Sequence, residues 1–141
     1  MNLKKDSYAY IAVSYSKRKI LQKELEALAQ VLNEFSITPF IFVDKYNFTS
    51  SEEDEMMQQA FTEINKCGLL IAEISDKAIG IGIELGYAKA MNKPVIYLRN
   101  KNAEHSTTAA GASDYKIIYT DADDLSKQLS EVLAKMYPPV I

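Results

Sequence analysis

The run Gly68-Leu-Leu-Ile-Ala72 offers no polar side chain to either face, the pattern of a central strand in a parallel sheet covered by helices above and below. Around it two periodicities alternate: short β-branched and aromatic runs, and longer polar stretches with apolar residues three and four apart. That alternation predicts βαβ units. Strands are expected at residues 8–14, 40–43, 68–72, 94–98 and 115–119, with Pro39 confined to the start of the second because it donates no ladder hydrogen bond. Helices are expected at 17–34, 82–91 and 123–136, the first with Ile20, Leu21, Leu25, Leu28, Val31 and Leu32 on one face. A further helix opens on the acids at 52–55, which suit a positive dipole end, with Ser50 or Ser51 as its cap. Right-handed crossovers restrict such a chain to a doubly wound α/β fold: a flavodoxin-like three-layer α/β/α sandwich with a five-stranded parallel sheet in the order 2-1-3-4-5.

A chain of 141 residues with 48% hydrophobic content can bury one core without disulfides or metals, so one domain over 1–141 is expected. No apolar run has the length of a membrane span, and residues 1–6 lack the apolar core of a secretory signal, which points to the cytoplasm. The net charge of −3 argues against a nucleic acid polymer as partner, while a small anion needs only local basic groups. Cys67 stands alone, beside a buried strand, where packing is its expected role. His105 has no second histidine or cysteine pair near it and is read as exposed loop, so neither metal nor cofactor is expected.

In this architecture ligands bind outside the carboxyl ends of the strands, where the winding reverses between strands 1 and 3. Three segments meet there: 14–19, 44–48 and 75–84. The third contains Gly80-Ile-Gly-Ile-Glu-Leu-Gly86. Gly80 and Gly82 are read as turning strand 3 into its helix and letting a ligand approach the backbone. Glu84 then lies in the first helical turn, either as a dipole partner or as the centre of an active site, and Gly86 would allow close helix packing. The spacing does not match a dinucleotide fingerprint. Lys17, Arg18 and Lys19, with Ser14 and Ser16, form a candidate phosphate site, or a solvated surface. Tyr15, Tyr46 and Phe48 lie on loops at the same edge and suit stacking on a base.

Ile71-Ala-Glu-Ile-Ser75 followed by Gly80-Ile-Gly-Ile-Glu-Leu-Gly-Tyr-Ala88 resembles the signature of the nucleoside 2-deoxyribosyltransferases, and most closely the 2'-deoxynucleoside 5'-phosphate N-hydrolase branch. The likeness runs from Tyr10-Ile-Ala-Val-Ser14 to the stretch Ser106-Thr-Thr-Ala-Ala-Gly-Ala112. It implies that Glu84 attacks the anomeric carbon of the sugar and expels the base, leaving a glycosyl-enzyme that water or a second base resolves. It implies that Tyr10 orients Glu84, although a tyrosine on a central strand also serves as core. It implies that Ser106 reaches the substrate phosphate of a neighbouring subunit, hence a homodimer, although a serine there also suits a helix cap. The chain departs from the pattern at Ala60, where the family carries an aspartate, at Gly68, where relatives carry an acid, and at Ala78, where the hydrolases carry a phosphate-binding serine. Asp44, after strand 2, is a candidate replacement for the missing acid and also an ordinary loop opener.

Two other readings stay open. The opening Tyr10-Ile-Ala-Val-Ser-Tyr-Ser16 also resembles the first strand of TIR domains, some of which hydrolyse NAD with a glutamate. A chain that keeps the cleft without the acid would be a nucleotide-binding module with no catalysis.

Overall fold

The computed structural model describes residues 8–139. The expected sheet is present: β1 (Tyr8–Ala12), β2 (Thr38–Ile41), β3 (Leu69–Glu73), β4 (Val95–Asn100) and β5 (Tyr115–Tyr119), all parallel, in the order β2-β1-β3-β4-β5. Every residue of β3 is buried: Leu69 to Ala72 as an apolar run paired on both edges and covered on both faces requires, and Glu73 with its carboxylate accepting from Ser75 and the Tyr119 hydroxyl. Each fully buried leucine or isoleucine there contributes about 1.5–3 kcal/mol.

Alternation along the strands sends side chains to two cores. Ala9, Ile11, Leu69, Ile71, Ile96 and Leu98 meet α1 (Gln22–Glu34) and α6 (Ala122–Met136) on one face. Tyr10, Ala12, Leu70, Ala72 and Tyr97 meet α3 (Glu53–Lys66) and α4 (Ile79–Ala90) on the other. Two short helices, α2 (Phe42–Lys45) and α5 (Thr107–Gly111), complete the layers. Among the described residues, no helix is long and apolar enough to cross a membrane.

Several local expectations change. The helix expected from residue 17 begins as a 3-10 turn, Tyr15–Lys17, and α1 starts only at Gln22. Ile20 falls in the connecting turn, out of phase with the helix, and is 72% exposed, whereas Leu25, Leu28, Val31 and Leu32 are buried as expected. The second strand runs two residues earlier than expected, with Pro39 inside it opposite Ala9. That position is tolerated because β2 is an edge strand and needs hydrogen-bond donors on one side only. Phe42 and Val43 therefore leave the sheet in α2. Thr49, not Ser50 or Ser51, is the capping residue, and it caps a 3-10 turn, Ser50–Glu52, that leads into α3: its N–H donates to Glu52 Oε1 at 2.9 Å, half of a capping box.

The largest correction concerns the glycine segment. α4 begins at Ile79, so Gly80, Gly82 and Gly86 are helical. None has positive φ. The chain turns out of β3 through residues 74–78, with Ala78 N–H donating to Asp76 O at 2.9 Å. Glu84 accordingly lies in the second helical turn. A Cβ on any of the three glycines would meet nothing within 4 Å, so Gly86 does not mediate close packing inside this chain.

Candidate active site

The middle of β1 carries Tyr10, which alternation aims at the α3/α4 face, beneath α4. Its ring is fully buried between Phe40 and Phe42, at centroid distances of 5.9 and 6.0 Å. A buried tyrosine hydroxyl needs a partner, and this one donates to Glu84 Oε2. Burial lifts the Glu84 carboxyl from 4.5 to about 7, an effect that the Tyr10 hydrogen bond partly offsets. Burial, then the charge of Glu84, pushes the Tyr10 phenol far above its ordinary value, so the proton stays on Tyr10. The pair therefore presents an oriented carboxylate that is weakly solvated and, near neutral pH, close to its midpoint.

Glu84 opens onto a cleft of about 460 Å³ at the carboxyl ends of β1 and β3, shared with Ser14 and Tyr15 from the loop after β1, and with Ala78 and Gly80. Much of the remaining wall is apolar, with Phe42, Phe48, Met56, Met57 and Ala60 beside the polar Asn47. The aromatic rings form a shelf, Phe42 to Tyr46 at 5.1 Å and Tyr46 to Phe48 at 5.8 Å and 26°. A cavity with polar groups at one end and flat apolar surfaces at the other suits a ligand that joins a polar ring to an aromatic one.

The structure brings together only part of the expected set. Glu84, Tyr10, Ser14 and Gly80 meet at the cleft, with Tyr15 80% exposed at its mouth. Ser16 Oγ lies 2.9 Å from Ser14 Oγ, and Lys17 ends the 3-10 turn beside them. Arg18 is not on the cleft wall: it forms a bidentate pair with Asp44, Nε to Oδ1 at 2.7 Å and Nη2 to Oδ2 at 2.8 Å, and its Nη1 donates to Gln22 Oε1 at 2.7 Å. Asp44, expected at the end of a strand, sits in α2 because β2 ends earlier. Gly82 and Ser106 lie elsewhere, in a second crevice of about 430 Å³ on the far side of α4. Ser106 caps α5, accepting from Ala109 N at 3.3 Å.

Glu63 was missed by sequence reasoning. It is 8% exposed and accepts from the Tyr46 hydroxyl and from Gln59 Nε2 at 2.8 Å. Gln59 Nε2 also lies 2.9 Å from the Tyr46 hydroxyl, and Lys66 Nζ 3.8 Å from Glu63 Oε1. The available signal was spacing: Gln59 and Glu63, four apart, flank Ala60 and Ile64 on the buried stripe of α3. His105 is exposed, as expected, with Nδ1 3.5 Å from the Tyr97 hydroxyl. Cys67 is buried and its thiol is pushed up to about 12, chiefly by burial, which makes it inert as a nucleophile. Among the described residues, no group of three or more His, Cys, Asp or Glu side chains is placed to hold a metal ion.

Residues 9–131 match the family model described as nucleoside 2-deoxyribosyltransferase. A curated relative, "Putative 2'-deoxynucleoside 5'-phosphate N-hydrolase 1" of Syntrophotalea carbinolica, is 31% identical over 119 residues, covering 82% of this chain and 81% of its own. Among solved structures, the Clostridium botulinum CMP N-glycosidase shares the fold with a TM-score of 0.65 at 24% identity, over 88% of this chain and 98% of that one. The 2-deoxyribosyltransferase of Bacillus psychrosaccharolyticus superposes with a TM-score of 0.65 at 17% identity, over 84% of this chain and 90% of that one.

Proposed function

The chain belongs to the nucleoside 2-deoxyribosyltransferase family, and from that premise we propose that it cleaves the N-glycosidic bond of a nucleoside or nucleoside 5'-monophosphate through a covalent glycosyl-Glu84. The observation that carries this reading is the buried Tyr10 hydroxyl donating to Glu84 on the floor of an aromatic-walled cleft. Glu84 Oε attacks the anomeric carbon as the carbon–nitrogen bond breaks, and the base leaves with the bonding electrons. Positive charge builds on the sugar in the transition state, and a fixed carboxylate in a weakly solvated site stabilises it. Water then cleaves the glycosyl ester in a hydrolase, and a second base takes the sugar in a transferase. Tyr10 keeps the attacking oxygen oriented throughout.

Ser14 and Gly80 line the cleft, with Ser16 against Ser14 and Lys17 ending the same turn, and the four are assigned to the sugar and its 5'-phosphate. Arg18 joins them once it exchanges Asp44 for the phosphate, since both anions suit the same guanidinium fork. Gly82 and Ser106 contribute through a second copy of the chain. Within one protomer they line a separate crevice, while α4 turns Ile79, 83% exposed, and Ile83, 47% exposed, to solvent beside open glycines. A helix this apolar on its outer face is favoured at an interface, which supports a homodimer with composite sites. Such a reaction belongs with the nucleotide pools of the cytoplasm.

Incubation with ribo- and deoxyribonucleosides, their 5'-monophosphates and NAD, with chromatography of released base, tests the proposal. Release from a nucleoside or monophosphate, abolished by Glu84→Ala and accompanied by a sugar adduct in the intact mass of wild type, is the expected result. Release from NAD with none from nicotinamide mononucleotide or any other monophosphate favours the TIR-like reading. Binding with no release favours a non-catalytic module, the reading that Ala60 supports by bringing no acid to the cleft wall.

A further inference from the structure

Resting on the glycosidase reading, we infer that this site expels the base without protonating it, and that its preferred substrates are nucleosides or nucleotides whose base carries a positive charge at the glycosidic ring system. Three features of the cleft carry the inference.

The cleft wall is poor in acids: besides Tyr46, its hydroxyls among the described residues are those of Ser14 and of Tyr15, the latter 80% exposed at the mouth. Within one protomer and among the described residues, Glu84 is the one carboxylate on the wall, and no histidine, lysine, arginine or cysteine lines it. The Tyr10 proton is committed to Glu84. Along the stretch from Phe42 to Ala60, Tyr46 and Asn47 are the cleft-lining side chains with hydrogen on a polar atom; the Tyr46 proton goes to Glu63, and a carboxamide hydrogen-bonds without transferring its proton.

The nearby second carboxylate is sealed off. Glu63 stands behind the shelf and is occupied by the Tyr46 hydroxyl, Gln59 and Lys66. Tyr46 has a single proton to donate, and it is spent on Glu63 while Gln59 donates to the same oxygen. What Tyr46 offers a ligand is therefore its ring and not its hydroxyl.

A wall that is apolar apart from the Asn47 carboxamide also solvates an anion poorly. An ordinary purine or pyrimidine leaves with the electron pair of the broken carbon–nitrogen bond as an anion, and here it meets methyl, thioether and aromatic surface. An N-alkylated purinium or a pyridinium base leaves with the same electron pair as a neutral molecule. No proton is needed, and the departing species suits the apolar wall. In the ground state the cationic ring gains from the faces of Phe42, Tyr46 and Phe48.

The test compares matched substrates on wild-type protein: 2'-deoxyguanosine 5'-monophosphate and its 7-methyl form, with nicotinamide mononucleotide as a pyridinium probe, following base release and kcat/KM. General acid catalysis contributes about 10²–10⁴-fold, so without it the methylated substrate is expected to react at least about 10²-fold faster than its parent. Parent and methylated substrates reacting within a few-fold of each other would overturn the inference and leave the glycosidase reading standing. Absence of release from every substrate would remove that reading, and this inference with it. Tyr46→Phe, which keeps the ring, is expected to preserve the ratio. A selective loss of parent turnover in that variant would make the Tyr46 hydroxyl the proton donor and overturn the inference.

Discussion

Tyr10, rooted in the middle of β1, donates its hydroxyl proton to Glu84 on α4, a residue 74 positions away in the chain. The two face each other because β1 and β3 are neighbours in the sheet, with Tyr10 beside Leu70, and α4 returns across that seam. Burial raises the pKa of both groups, while the bond between them lowers that of Glu84 and raises that of Tyr10. The arrangement has one stable proton assignment and one group that titrates near neutrality.

Attack requires the ionised carboxylate, so turnover is expected to rise with pH through a midpoint near 7. Tyr10→Phe removes the interaction that favours the charged form, moving the midpoint to higher pH and lowering kcat at pH 7. A pH–rate profile of both proteins measures this, and an unmoved midpoint would separate Tyr10 from the chemistry.

Keeping Glu84 in this position costs stability, and the sign follows from the direction of the shift. Between 4.5 and about 7 the folded protein retains a proton that the unfolded chain releases, so this contribution falls as pH rises and the cost is complete above 7. Glu84→Gln is therefore expected to stabilise the fold by up to about 3 kcal/mol at pH 8 and to leave it nearly unchanged near pH 4.5. Urea unfolding at the two pH values checks the difference, and the same variant is expected to be inactive.

Asp44 holds the Arg18 guanidinium by both nitrogens that a phosphate would use. Both partners are partly exposed, and such pairs contribute about 0–1 kcal/mol, so Asp44→Asn should leave stability within that range. Freed from its partner, Arg18 is expected to lower the KM for a 5'-monophosphate several-fold relative to the corresponding nucleoside. Equal effects on both substrates would show that Arg18 does not meet the phosphate.

The outer face of α4 gives the dimer its test. Ile79→Glu places a charge on the most exposed apolar side chain of that helix and is expected to yield monomers in sedimentation equilibrium. Ser106→Ala should raise the KM for phosphorylated substrate in the dimer and have no further effect in the Ile79→Glu background. A wild-type protein that sediments as a monomer would remove the composite site.

Some of this protein was legible in its sequence, because strand and helix periodicity are local and report which face of an element is buried. The unbroken apolar run at 68–72, the strand at Tyr115–Tyr119 and the alternation of elements were enough for the sheet order, since crossover handedness leaves few alternatives. Glu84 also stood out as the one acid in an apolar, glycine-rich stretch. Tertiary structure decided what each side chain meets. It set Gly80 and Gly82 inside a helix where a turn was expected, paired Arg18 with Asp44, moved Gly82 and Ser106 away from the Glu84 cleft, and set Glu63 behind Tyr46. Contacts between residues tens of positions apart depend on where whole elements come to rest against one another, and no local pattern along the chain encodes that.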